Sequence, residues 1–200
     1  MSVGYNMSNY YDVNAKEYIE NTINCDMSFH YQKFLKCLPK TGKILDVGFG
    51  SGRDMIYFKS LGYEVVGIDT SLEFVKNMKG KEFDVKLESA CEINYQDEYD
   101  GIWACASLLH IKREQLEEVI IRCMKALKEN GVLYCSFKYG DMETEKEGRY
   151  FNYINEDIIG NISNRCNIEI IEMYKSIDVR KDRNNEEWIN VIFKFLESNL

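Results

Sequence analysis

Lys43-Ile44-Leu45-Asp46-Val47-Gly48-Phe49-Gly50-Ser51-Gly52-Arg53 is the stretch on which the fold turns. An apolar strand over Lys43–Gly48 delivers the chain to a Gly-x-Gly-x-Gly turn, and a helix over Arg53–Leu61 follows at once. Glycines at 48, 50 and 52 let the backbone bend tightly and approach a ligand with no Cβ in the way. Loops collect glycines, so the triplet alone says little. The strand before it and the helix after it give it meaning. The second half of the signal is Val65-Val66-Gly67-Ile68-Asp69. Asp69 ends the next strand, about 20 residues beyond the glycines, where a carboxylate accepts from both hydroxyls of a ribose.

Working outward, Tyr10–Thr22 and Met27–Leu38 read as helices, the second stopped by Pro39. Glu64–Asp69 is a strand running into a helix that Ser71 is placed to cap, and Asp84–Ser89 is a short, mixed strand. Ile102–Ala106 is a continuous apolar run, as in a sheet covered on both faces. Glu114–Lys128 is the clearest helix: Leu116, Val119, Ile120, Cys123, Met124 and Leu127 keep helical spacing, and Asn130-Gly131 ends it. Val132–Phe137 is a strand, Lys138–Asn152 a long polar loop, and Asn155–Asn164 a helix. Ile168–Val179 and Trp188–Leu196 then read as strands joined by the charged turn Arg180–Glu187. Alternating strands and helices predict a doubly wound α/β domain with a mostly parallel sheet, helices on both faces and an antiparallel edge.

The 200 residues, 45% of them hydrophobic, suit one domain with one sizeable core. A single proline and no low-complexity stretch argue against an internal linker. Residues 1–40 form a helical cap, 41–139 the cofactor core, and 138–200 the substrate loop and closing strands. A formal charge of −8 argues against phosphate-backbone partners. No apolar stretch has membrane length, and Met1–Tyr11 lacks a basic-then-apolar pattern, so the expectation is a cytoplasmic chain. Seven cysteines without a CxxC pair, and only His30 and His110, offer no zinc spacing, so no metal is expected. The cysteines read as small buried hydrophobes in a reducing compartment, Cys105 and Cys135 inside apolar runs.

Two cofactors suit glycines followed by an acidic strand end. Dinucleotide sites use Gly-x-Gly-x-x-Gly and leave a helix N-terminus open to pyrophosphate. Here the spacing is Gly-x-Gly-x-Gly, and Asp46 stands two residues before it, a poor neighbour for pyrophosphate and a better one for a ligand ammonium. With these features Leu45–Arg53 resembles motif I of the class I S-adenosylmethionine-dependent methyltransferases, and Gly67-Ile68-Asp69 resembles their motif II. Tyr99-Asp100-Gly101-Ile102-Trp103 is similar to their entry into strand four, and Asn130-Gly131-Val132-Leu133 to their turn into strand five. The likeness runs from about Tyr10 to Phe195, nearest to the compact bacterial branch with tellurite and small-molecule enzymes.

The resemblance implies a Rossmann-like, seven-stranded sheet, S-adenosylmethionine as methyl donor and S-adenosylhomocysteine as product. Carried over, Asp46, Gly48, Gly50, Gly52 and Arg53 line the methionine end, Asp69 holds the ribose, and Thr70 and Ser71 flank the adenine. Family members often place an Asp near the end of strand three for the adenine amino group. Ser89 stands near that place here, between Glu88 and Ala90, which leaves the Ala90 N–H as the alternative. Ser107 is read as a cofactor contact. Tyr10, Tyr11 and Tyr18 either close over the cofactor as a lid or pack a helix onto the sheet.

Methyl transfer from a sulfonium needs alignment, exclusion of water and sometimes a base. His110, just after the fourth strand, is the candidate base, against the alternative of a loop histidine bonded to backbone. His30 reads as packing. Lys138, Tyr139, Arg149, Tyr150, Arg180 and Arg183 are candidates for binding a small anionic acceptor. The competing reading is a salt-bridged surface, since Glu143, Glu145, Glu147, Asp178 and Asp182 lie close by in sequence. Methylation of a nucleic-acid base or a protein, and a non-catalytic cofactor-binding module, stay open as alternatives, as does a monomer or a homodimer.

Overall fold

A computed structural model describes residues 7–180, 183 and 185–196; Met1–Asn6 and Asp182 lie outside it. Seven strands form one sheet: β1 (Lys43–Val47), β2 (Glu64–Asp69), β3 (Asp84–Leu87), β4 (Tyr99–Ala104), β5 (Leu127–Lys138), β8 (Ile168–Ile177) and β9 (Glu187–Phe195). Their order is β3-β2-β1-β4-β5-β9-β8. The strands pair in parallel as far as β5, and β9 runs antiparallel to both β5 and β8. The closing hairpin thus supplies the antiparallel edge, with β9 the reversed strand and β8 outermost.

Adjacent residues in each central strand serve opposite faces. Leu45, Val66, Ile102 and Leu133 face one core with α6 (Arg113–Ala126) and α7 (Glu156–Cys166). Ile44, Val65, Trp103 and Tyr134 face the other with α3 (Ser28–Leu35), α4 (Arg53–Ser60) and α5 (Leu72–Lys79). Burial on both faces is why β4 reads as a continuous apolar run. Trp103 and Tyr134 stack at 3.9 Å between ring centroids, on neighbouring strands.

Four sequence expectations are corrected. The N-terminal helix is two, α1 (Met7–Val13) and α2 (Ala15–Thr22), broken at Asn14, whose side chain bonds the Tyr10 carbonyl at 2.8 Å. That local bond competes with helical continuation. The long helix ends at Ala126 rather than at Asn130-Gly131, and Asn130, with φ 66°, is a left-handed step inside β5. The polar loop contains a hairpin, β6 (Glu143–Lys146) with β7 (Arg149–Asn152). Its turn, Glu147-Gly148, has φ 54° and 71°, the doubly positive signature of a tight hairpin turn. Of the seven cysteines, all unpaired, Cys123 and Cys135 are fully buried while Cys91 is exposed.

Candidate active site

The strand order reverses between β1 and β4, and doubly wound sheets bind ligands at the carboxyl ends of strands at such a switch. Beyond Val47, Gly48 N–H donates to the Ile68 carbonyl at 2.7 Å, which folds the turn over β2. Gly48 and Gly50 have φ 72° and 52° and line the cleft that opens there. A Cβ on Gly48 would lie 2.5 Å from Ser107 Cβ, and one on Gly50 would lie 3.0 Å from Tyr18 Cε1. Asp69, Thr70, Ser89 and Ala90 line one end of the cleft; Tyr11, Ser107 and His110 line it as well.

Asp69 is the polar centre of this cleft. Its Oδ2 accepts from Gly50 N–H at 2.9 Å and its Oδ1 from Ser71 N–H at 2.8 Å. Burial nevertheless pushes its carboxyl up to about 6, a sign of acceptor capacity that backbone donors leave unused. Two further buried oxygens, Asp46 Oδ2 and Ser107 Oγ, have no hydrogen-bond partner among the described residues. Burial, then repulsion from Asp54 and Asp69, offset in part by Arg53, raises the Asp46 carboxyl well above its usual range. Unsatisfied acceptors and a glycine cradle fit a ligand bearing a vicinal diol and a cationic amine, which is the donor set of S-adenosylmethionine.

Other candidates take different places. Gly52 caps α4 in the left-handed region, and its missing side chain makes room for Met78, with Sδ 2.3 Å from where a Cβ would sit. Ser71 caps α5 by accepting from Phe74 N–H and donates to Asp12 at 2.6 Å, docking α1. Ser89 accepts from Cys91 N–H, and Glu92 closes a capping box back onto it, so its hydroxyl is already committed. Arg53 turns away from the cleft into a buried pair with Asp54, at 2.6 and 3.0 Å. Asp54 also accepts from Tyr31 at 2.5 Å and Trp103 at 2.8 Å. Burial alone would raise its carboxyl, but Arg53, Tyr31 and Trp103 hold it below the ordinary value.

His110 is engaged at both ring nitrogens. Nδ1 lies 2.7 Å from the Tyr150 carbonyl, which only accepts, so Nδ1 carries the proton. Nε2 then receives the Tyr11 hydroxyl at 2.8 Å. Burial lowers its pKa to about 4, keeping the ring neutral. It therefore ties the α1 cap to the β6–β7 hairpin, with its basic nitrogen covered by Tyr11.

Beyond the cleft lies a second, half-open cavity of about 100 Å³. Tyr18 and Ala106 line both spaces, so the two lie side by side. Ala106 holds φ 51°, and its N–H donates to Ser136 Oγ at 2.8 Å. The inner cavity takes His30, Arg53, Tyr134, Trp188 and Asn190 from four elements, α3, α4, β5 and β9, a convergence no local motif announces. Asn190 and Ser136 did carry a signal: each is a polar residue inside an apolar strand run.

The expected cationic group separates. Arg180 lines the inner cavity and, with Arg149 and Arg183, an outer basin beside it. Arg180 is held by Asp178 at 2.9 and 2.5 Å, and Arg149 by Glu147 at 2.8 Å while stacked 3.9 Å over Tyr10. Lys138, Tyr139 and Tyr150 line none of these spaces. Lys138 pairs with Glu186 at 2.8 Å, Tyr139 lies under Lys175 and Tyr150 bonds Glu143. Among the described residues no cluster has the makings of a metal site.

Comparison with known proteins agrees with this geometry. Residues 45–135 match the model of a methyltransferase domain. An uncharacterized methyltransferase of Staphylococcus carnosus is 26% identical over 176 residues, covering 86% of this chain and 83% of that one. The probable S-adenosyl-L-methionine-dependent methyltransferase TehB of Haemophilus influenzae is 32% identical over 84 residues, 39% of this chain and 29% of its own. In fold, the chain is similar to the 1,6-didemethyltoxoflavin N1-methyltransferase of Burkholderia thailandensis, solved with 1,6-didemethyltoxoflavin and S-adenosylhomocysteine. There the TM-score is 0.78 at 15% identity, over 95% of this chain and 88% of that one. Glycine turn, acidic strand end, sheet order and sequence relatives together support S-adenosylmethionine-dependent methyl transfer by this chain, which is similar to the class I methyltransferases.

Proposed function

We propose that the methyl acceptor is a small molecule seated in the inner cavity, beside the cofactor cleft at Tyr18 and Ala106. The observation that carries this is that a cofactor cleft and a second cavity beside it share those two residues. When bound, S-adenosylmethionine supplies an activated methyl group on sulfur. Asp69 would accept from its ribose, Gly48 and Gly50 would admit its backbone-hugging chain, and Ala90 would stand at the adenine. The inner cavity's own residues exclude water and orient the acceptor.

A neutral acceptor is favoured, because both guanidiniums in the cavity are already neutralised by Asp54 and Asp178. An anionic acceptor is the second reading. In its favour, Arg149 Nε is buried without a partner, and Arg149 borders the same basin as Arg180 and Arg183. A cavity of about 100 Å³ and the −8 charge support a small acceptor over nucleic acid. Seven unpaired cysteines support a reducing, cytoplasmic setting.

The test is methyl transfer from labelled S-adenosylmethionine to lumazine, para-nitrophenol and tellurite, in wild type and in Val179→Trp. Val179 is exposed and borders both the cavity and the basin, so tryptophan there obstructs the mouth. Turnover is expected to be lost in the variant with S-adenosylhomocysteine affinity unchanged. Full turnover with the mouth obstructed would place the acceptor elsewhere.

A further inference from the structure

We propose that Tyr11, Tyr18 and Phe74 form an aromatic half-cage for the donor's sulfonium, by which the cleft prefers S-adenosylmethionine to the neutral S-adenosylhomocysteine. This rests on the acceptor being seated in the inner cavity. The methyl in transit must then stand where cleft and cavity adjoin, and Tyr18 and Ala106 line both. Tyr18 lines the outer basin as well, so it stands at the junction of all three spaces. Its ring overhangs the glycine turn: a Cβ on Gly50 would lie 3.0 Å from Tyr18 Cε1 and 3.5 Å from its Oη. A sulfur whose methyl points into the cavity is thereby brought against Tyr18.

Tyr11 and Phe74 line the same cleft and complete the wall. The Tyr18 ring centroid lies 5.4 Å from that of Tyr11 and 5.3 Å from that of Phe74, which are 6.0 Å from each other. The Tyr18 plane is inclined at 86° to Tyr11 and 45° to Phe74, an open corner rather than a closed stack, which leaves ring faces available to a ligand. Those faces carry the negative end of the ring quadrupole and attract a cation. The corner is held from outside. Tyr11 donates to His110 Nε2 at 2.8 Å, and Phe74 N–H donates to Ser71 Oγ at 3.3 Å in the first turn of α5. Ser71 in turn bonds Asp12 at 2.6 Å, tying α5 to α1.

The charges around the cleft point the same way. Asp69 and Glu88 line it, and among the described residues no lysine or arginine does. Arg149 stacks 3.9 Å over Tyr10 and reaches the Tyr11 ring only at 6.0 Å, while Arg53 is paired with Asp54. Transfer forms a bond from the acceptor to the methyl carbon and breaks the carbon–sulfur bond, its electron pair remaining on sulfur. The bound cation becomes a neutral thioether, so the attraction that holds the donor is absent from the product.

The test is calorimetric titration of the full chain at pH 7 and needs no acceptor. The ligands are S-adenosylmethionine, S-adenosylhomocysteine and sinefungin, in which a carbon bearing an ammonium replaces the methylsulfonium. The wild type is expected to bind the two cations on the order of tenfold more tightly than the thioether. Tyr18→Leu is expected to remove most of that preference with S-adenosylhomocysteine affinity within about twofold, which also reports that the variant folds. Tyr18→Phe keeps the ring and is expected to keep the preference. Pentafluorophenylalanine at position 18 has nearly the same shape with the ring polarity reversed, and is expected to abolish it. A wild type without the preference overturns the proposal. So does an equal loss of both ligands in Tyr18→Leu, as stacking on the adenine would give. If the preference is absent while Val179→Trp abolishes turnover, only the half-cage falls. If Val179→Trp is fully active while Tyr18→Leu loses the preference, the acceptor's seat falls and the half-cage stands on the binding alone.

Discussion

Asp69 is a carboxyl held in two states by one environment. Burial favours its protonated form, while hydroxyls donating from a bound ribose favour the carboxylate. Affinity for S-adenosylhomocysteine is therefore expected to fall about tenfold per pH unit below 6 and to level off above 7. Calorimetric titration across that range checks it. Asp69→Ala is expected to cost about 1.5–3 kcal/mol of binding through lost charged hydrogen bonds, and equal affinity in the folded variant would remove the ribose role. For His110, the covered nitrogen moves the expected defect from the chemical step to the cofactor. His110→Ala should weaken S-adenosylhomocysteine binding while leaving the shape of the pH profile of kcat unaltered, and a lost acid limb would return His110 to the role of base.

At the level of elements, the glycine turn is the piece least tolerant of change. Gly48→Ala places a methyl 2.5 Å from Ser107 Cβ at a φ of 72°. It is expected to lower stability by roughly 1–3 kcal/mol and to reduce cofactor affinity, read by thermal melts with and without S-adenosylhomocysteine. Local signals made this turn legible: Lys43–Gly48 and Glu64–Asp69 are short apolar runs ended by glycine or an acid. β2 was read to the residue because nothing competes with Val65–Ile68 for the sheet. The β6–β7 hairpin was not legible, because neither of its strands alternates cleanly between apolar and polar and its turn is Glu-Gly rather than Asn-Gly. The inner cavity was illegible for another reason. Its walls come from α2, α3, α4, β5, β8, β9 and the turn after β4, and long-range convergence leaves little trace in sequence order.

For the molecule as a whole, two buried neutral histidines set the acid limit. His30 and His110 titrate near 4 in the fold against an ordinary 6.5, so the unfolded chain binds more protons between those values. Stability therefore rises with pH across that window and is lost as pH falls through it. Asp69, raised from 3.8 to about 6, and Asp46, raised well above its usual range, act in the opposite sense and offset part of the histidines' contribution. Tm is expected to drop steadily from pH 6.5 to 4, and less steeply in His110→Gln; an equal slope in that variant would show that the ring is charged in the fold. Ala106 adds a final consequence. A residue other than glycine in the left-handed region costs on the order of 1 kcal/mol, and glycine would stand there without that strain. With the acceptor seated as proposed, the methyl it retains would stand between donor and acceptor and limit the width of the group handed over. Ala106→Gly is expected to pass an ethyl group from S-adenosylethionine that the wild type holds back, measured as ethylated lumazine by mass spectrometry.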